Sequence, residues 1–240
     1  MKTKYIIRII FILLIPFLTS AQERDPVDIT AMAVINRYID AIGGKEKFEN
    51  VKDRTTVIKG TTMGKEINIV VQQKFPNKLK QEINTREISQ VMYFDGENGL
   101  MLIGENKTEI KGKELERLKI DATMQLLRNP ESYGVKMELM GNETIDSVDC
   151  FKIKMTLPSG IRWFQYYDAD SGLKVKELKE IQTEQGLFEQ ETSFSDYKDV
   201  DGLKFPFKMK QSFGMQKIDM TVQSIKLNSV IEDSVFTLPE

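Results

Sequence analysis

The sequence predicts an α+β protein dominated by one antiparallel sheet. Three observations predict it. Runs of roughly seven to ten residues with apolar side chains at alternate positions recur along most of the chain, the period of a strand with one buried face. Short turn signals rich in Gly, Pro, Asn and Asp separate successive runs, which leaves room only for antiparallel hairpins. Helical periodicity is confined to two segments, residues 28–42 and 112–129.

The N-terminus reads as a leader. Lys2, Lys4 and Arg8 form a basic start, residues 9–18 form an apolar run, and Thr19-Ser20-Ala21 supplies the small residues that signal peptidase needs. Residues 1–21 are therefore expected to be a signal peptide, cleaved before Gln22. An apolar run of about ten is too short to span a bilayer, and an uncleaved anchor is the alternative. No later stretch approaches the length of a membrane span, and no cysteine stands near the cleavage position for bacterial lipid anchoring, so a periplasmic mature chain is expected. Removing three leader cations from 34 Lys and Arg leaves 31 against 36 Asp and Glu, a formal charge of −5. That balance offers no basic stripe to nucleic acid. Residues 22–240 are expected to form a single domain, with no repeat, linker or low-complexity tract.

In chain order, residues 28–42 place Ala31, Val34, Ile35, Tyr38, Ile39, Ala41 and Ile42 on one broad helical face, opposite Asn36, Arg37 and Asp40. Asp28 or Thr30 can cap the start, and Gly43-Gly44 can end it. The stripe alone fits a helix packed on a sheet better than a lid over a cavity. A short turn at 45–51 is expected to dock through Phe48. Strands follow at 55–62, 66–75, 78–85 and 88–94, broken at Met63-Gly64, Pro76-Asn77 and 85–87. Asp95-Gly96-Glu97-Asn98-Gly99 is a hairpin turn from which 100–103 returns.

Residues 112–129 carry Leu115, Leu118, Ala122 and Leu126 on one side of an ideal helix and Ile120, Met124 and Leu127 nearly opposite. Either one helix is apolar along two edges, or the chain breaks at Ile120-Asp121 and Asp121 caps a second short helix. The break restores one apolar stripe per helix and is the preferred reading. Pro130 ends the region. Strands resume at 135–140, 148–157, 161–167, 174–183 and 187–197, with turns at Gly141-Asn142, Pro158-Ser159-Gly160, 168–172 and Gln185-Gly186. The single cysteine, Cys150, lies in a strand and is expected to be a buried small hydrophobe, without a disulfide.

The C-terminal strands are the most regular. Leu203, Phe205, Phe207, Met209 and Phe213 recur at period two, broken only by Gln211. Ile218, Met220 and Val222 do the same before Ile225 and Leu227 fall on the other parity, which predicts a bulge near Gln223-Ser224. The tail is expected to bury Val235, Phe236 and Leu238.

The run FSDYKDVDGLKFPFK followed by IKLNSVIEDSVFTLP resembles the end of outer-membrane lipoprotein-sorting proteins, the LolA/LolB-like superfamily. MYFDGENGLMLI is similar to that family's mid-sheet hairpin, and IRWFQYYDADSGLKVKE to its central hairpin, where an aromatic strand leads into an Asp-rich turn. The resemblance runs over most of the mature chain. It implies an open, strongly curved antiparallel half-barrel sheet of about 10–12 strands with helices covering the concave face. It also implies a non-catalytic periplasmic carrier or chaperone that binds acyl chains of lipoproteins or lipids in an apolar cavity, without a cofactor. The implied protein partners are inner- or outer-membrane transport proteins, and a monomer is expected.

The residues exclude much else. Without histidine there is no Ser-His-Asp triad, Cys-His dyad or imidazole metal site, and one cysteine excludes a CxxC pair. No glycine-rich nucleotide loop is present. Asp168-Ala169-Asp170-Ser171-Gly172 looks like a calcium loop, but Lys179 stands where the loop needs its closing Glu, so a hairpin turn is the reading. Carboxylates are plentiful, yet the sequence does not pair two of them across a cleft, and a glycosidase is not expected.

What remains is a large supply of adaptable apolar side chains, twelve Met and thirteen Phe, set largely on strands and helix stripes. Core packing accounts for any one of them. Collectively they suit a curved sheet with more inner surface than two or three helices can fill, where burial of an acyl chain would contribute about 0.8 kcal/mol per CH₂ and at most about 10 kcal/mol in all. Alternation selects Ile35, Ile39, Met92, Phe94, Leu115, Leu118, Met124, Leu127, Met155, Trp163, Phe205, Phe207, Met209, Phe213 and Met220 as cavity and lid candidates. No catalytic residue and no metal ligand is expected. Two rivals stand beside the carrier: an envelope sensor or scaffold module that uses the same fold to recognise mislocalised lipoprotein or dock on a membrane complex, and an enzyme.

Overall fold

The structure, a computed structural model, describes residues 29–183 and 186–239. The expected leader, its cleavage position, the alternative cap Asp28 and Gln185 of one expected turn lie outside them. Among the described residues, six strands form a first meander: β1 (Asp53–Thr62), β2 (Lys65–Lys74), β3 (Lys78–Asn84), β4 (Ser89–Phe94), β5 (Gly99–Ile103) and β6 (Asn106–Ile110). Seven form a second: β7 (Lys136–Ile145), β8 (Val148–Thr156), β9 (Arg162–Asp168), β10 (Lys174–Thr183), β11 (Gly186–Val200), β12 (Leu203–Phe213) and β13 (Gln216–Leu227). β13 pairs antiparallel with β1, so the two meanders fuse in mid-sheet and leave β6 and β7 as the two open edges. The sheet thus has thirteen strands, more than the alternation predicts.

Three helices accompany it among the described residues: α1 (Ala31–Ala41), α2 (Lys45–Glu49) and α3 (Gly112–Ala122). The Thr30 hydroxyl caps α1 by accepting from the Ala33 amide at 3.1 Å. Gly43 ends it at φ 133°, and a Cβ there would sit 2.2 Å from the Gly202 carbonyl oxygen, so the close approach of α1 to the β11–β12 turn requires glycine.

α3 and two 3-10 turns, Leu126–Arg128 and Pro130–Tyr133, connect β6 to β7 and so run from one sheet edge to the other. In a flat sheet those edges would stand about 58 Å apart at the usual strand spacing. Yet Leu118 and Ala122 share a buried cluster with Leu79, Phe94 and Ile110 of the first meander. Ile120, between them in sequence, belongs to the cluster that holds Ile153, Met155 and Trp163 of the second. Neighbouring residues of one helix reach both halves because the sheet bends around them, as a curved, unclosed half-barrel does. Gly99 lets the helix approach β5, since a Cβ there would meet Leu118 Cδ2 at 3.0 Å.

Alternation explains most strands. On β12 the side chains of Leu203, Phe205, Phe207 and Met209 are buried or half-buried while Lys204, Lys208 and Lys210 are exposed. On β13 the register passes from Val57–Ser224 to Ile58–Val222, leaving Gln223 as the bulge that the parity slip predicts. Phe236 and Cys150 are fully buried.

Three expectations change. Gly141-Asn142 is no turn: β7 runs through it with a bulge between Leu139 and Asn142, which the positive φ of Gly141 accommodates. The strand β6 went unanticipated, because NKTEI is an edge strand exposed at all but Ile110. The helical break falls at Thr123, in extended conformation, rather than at Ile120-Asp121. Asp121 does not cap. Its carboxylate is held by Arg117 one turn back at 2.7 Å and by Lys179 of β10 at 2.9 Å, which keeps it inside α3.

Candidate functional site

A cavity of about 420 Å³ is lined by residues of α1, α2 and the 120–127 segment together with inward residues of β1, β2 and β9–β13. That size is within the usual range for small-molecule sites. Much of its wall is apolar: Ile58 and Val71 from the first meander, Met209, Val222 and Ile225 from the second, and Met124, Leu126 and Leu127 from the segment after α3. The elements that supply it are pinned together. The Gln125 side-chain amide donates to the Glu49 carbonyl at 2.8 Å, the Met124 amide to the Pro76 carbonyl at 3.1 Å, and the Lys204 amide to the Ile42 carbonyl at 2.7 Å.

One side of the cavity is charged, and a bulge makes it so. β9 pairs Tyr167 with Lys174 and Tyr166 with Lys176, which leaves Val175 as the extra residue on β10. Across the bulge Lys174 and Glu177 share one face, where their head groups lie 2.7 Å apart. Glu177 is also 3.4 Å from Lys179, and Lys179 reaches Asp121 at 2.9 Å with its ammonium 4.3 Å from the Trp163 ring centroid. Burial alone would raise the Glu177 pKa, but the charges of Lys174 and Lys179 hold it down to about 2. Burial likewise opposes the charge on Lys179, yet Asp121 and Glu177 keep its pKa above the ordinary lysine value. Burial pushes the Tyr38 phenol up to about 12 and raises that of Tyr197, whose hydroxyl donates to the Lys174 carbonyl at 2.7 Å.

Arg54 stands apart from this network. It projects from β1 into the cavity, donates through Nη2 to Gln73 Oε1 and lies 5.6 Å from the Phe205 ring centroid. Its Nε is buried without a partner, as is the Trp163 indole nitrogen. Burial pulls the guanidinium below its ordinary pKa.

Of the residues that alternation selects, Met124, Leu127, Trp163, Phe205 and Met209 line this cavity. Ile35, Ile39 and Met155 are buried in the cluster between α1 and the second meander. Phe94 and Leu118 are buried, and Met92 and Leu115 half-buried, in the cluster of the first meander. Met220 and Phe207 pack together in a third cluster with Ile58, Ile69 and Val222. Phe213 meets Phe188, ring centroids 5.6 Å apart. Arg54, Gln73, Gln165, Lys174, Glu177 and Lys179 are among the polar lining residues that alternation does not select. For Arg54 a signal existed, since it is in phase with Thr56 and Ile58. Lys174 offered none, because a bulge places it.

Among the described residues no group of three or more His, Cys, Asp or Glu is placed to hold a metal ion, and no helix is long and apolar enough to cross a membrane. The 168–172 segment is a hairpin turn in which the Asp168 carboxylate accepts from the Asp170 amide at 2.8 Å and the Ser171 hydroxyl at 2.6 Å.

An open antiparallel sheet of two fused meanders, its edges joined by a helical connection and an apolar cavity within, is the LolA-like fold. A LolA superfamily protein from Nitrosomonas europaea superposes with a TM-score of 0.57 at 14% identity, over 88% of this chain and 98% of that one. A protein from Vibrio parahaemolyticus described as an outer membrane lipoprotein-sorting protein domain gives 0.56 at 9% identity, over 85% and 95%. A DUF1329 family protein from Desulfovibrio piger gives 0.55 at 13% identity, over 85% and 96%. At these identities the likeness is one of fold. No family model and no curated protein matches the sequence.

Proposed function

We propose that the mature chain is a periplasmic, non-catalytic carrier that holds an acyl chain of a lipid or lipoprotein in this cavity, with α1 and α3 covering the concave face of the sheet. The observation that carries the reading is the cavity itself: about 420 Å³ with apolar walls drawn from both meanders and from the segment after α3. The likeness in fold to the Vibrio lipoprotein-sorting protein domain supports the choice of ligand. The titratable side chains of the cavity support binding over reaction, because Glu177 and Asp121 are both committed to lysine partners.

Trp163 is the one tryptophan of the chain and lines the cavity, so its fluorescence reports occupancy. Titration with single-chain amphiphiles of one head group and increasing length is expected to give saturable changes. Affinity should rise up to about fourfold per CH₂ while the chain still gains burial, the equivalent of about 0.8 kcal/mol. Absence of a saturable change at any length, or an affinity indifferent to length, would overturn the carrier.

A further inference from the structure

We infer that the ligand of this cavity carries an anionic head group, a carboxylate or a phosphate, and that Arg54 binds it from within. The inference rests on the carrier reading and adds the polarity of the ligand. A guanidinium has five N–H donors, and a buried one is expected to be matched by a carboxylate. Arg54 has no ion pair among the described residues; its hydrogen bond is to the neutral Gln73, and its Nε is buried without a partner. The two carboxylates that line the cavity serve other cations: Glu177 is taken by Lys174 and Lys179, and Asp121 by Lys179 and Arg117.

The inward side chains of the lining therefore carry three cations, Arg54, Lys174 and Lys179, against the two carboxylates Asp121 and Glu177. This excess sits inside a chain in which acidic residues outnumber basic ones, 36 to 34. A neutral lipid would leave Arg54 unmatched, whereas the guanidinium fork fits a carboxylate or phosphate with two parallel hydrogen bonds. The surroundings also orient the ligand. Ile58 lies four residues along β1 from Arg54, about 13 Å at strand rise, and joins Ile69, Met220 and Val222 in an apolar cluster. A head group at Arg54 would direct its chain along that cluster.

The test uses the mature protein at pH 8, with Trp163 fluorescence and two matched pairs: myristate against methyl myristate, and lysophosphatidic acid against the monoacylglycerol of equal chain. The anionic member of at least one pair is expected to bind about tenfold tighter or more. Preference in the first pair alone identifies a fatty acid, and in the second alone a phospholipid. Arg54→Gln should abolish the preference of the anionic over the neutral member, and Arg54→Lys should keep part of it. Equal binding of anionic and neutral members by the wild-type protein overturns the inference even if Arg54→Gln does not fold, and so does a preference that survives Arg54→Gln. If no probe binds at all, the carrier reading itself falls; if neutral and anionic chains bind alike, only the head-group inference does.

Discussion

Lys179 on β10 and Asp121 on α3 hold each other at 2.9 Å, and the same ammonium lies over the Trp163 ring. This contact ties the helical connection to the second meander, while Leu118 on the same helix is buried against the first. Both charged side chains are about four-fifths buried (19% and 20% exposed). Asp121→Asn leaves Lys179 with Glu177 alone and is expected to cost about 1–3 kcal/mol in urea unfolding. An effect below about 0.5 kcal/mol would mean that the pair does not anchor α3.

On the proposed carrier reading α3, which packs against both halves, is the element that ligand entry would disturb. Amide hydrogens of Gly112–Ala122 are expected to exchange faster than those of β8 and β12, and an acyl ligand should change their protection most. Leu118→Glu should weaken ligand binding, because it places a carboxylate in the cluster that seats the helix. A helix as protected as the central strands and indifferent to lipid is fixed core.

Glu177 sets a pH dependence with a definite sign. Its folded pKa, about 2, is below the ordinary carboxylate value of 4.5. The group therefore contributes stability above pH 4.5 that is lost as pH falls from about 4.5 toward 2. Glu177→Gln is expected to be less stable at neutral pH, by on the order of 2 kcal/mol, and to show a shallower decline across that window. Denaturant melts at several pH values measure both effects.

Adjacent residues of β12 should respond to the same change with very different magnitudes. Phe207 is half-buried against Met220 and Val222, and Lys208 is exposed. Phe207→Asp is expected to destabilise by about 2–4 kcal/mol and Lys208→Asp to stay within about 0.5 kcal/mol. Thermal melts that rank the two equally, or in reverse, contradict the burial pattern of this strand.

Residues 1–21 lie outside the described structure, and the expectation that they are a cleaved leader is tested directly. Mass analysis of the protein from the periplasmic fraction should give an N-terminus at Gln22. A product that retains Met1 and fractionates with membranes contradicts secretion as a free carrier.

Alternation made most of the sheet legible, down to the bulge at Gln223, because a half-buried strand writes its face into every second residue. β6 escaped because an exposed edge strand has no apolar face to write. The helical break was misplaced by two residues because Asp121 finds better partners in Arg117 and Lys179 than in a capping role, and Lys179 is distant in sequence. The apolar wall of the cavity was partly legible through Trp163, Phe205 and Met209. Its charged side was not. Lys174, Glu177 and Lys179 belong to the run KVKELKE, which reads as a solvated strand, and their inward placement depends on the bulge at Val175 and on partners from α3.

Native mass spectrometry of the protein purified from periplasm, followed by lipid extraction, tests the carrier most directly. A carrier should give a one-to-one adduct that is released on denaturation and identified in the extract as a molecule with a long acyl chain. A population at the bare mass of the mature chain, with no acyl lipid in the extract and none taken up on incubation with lipid, would contradict it.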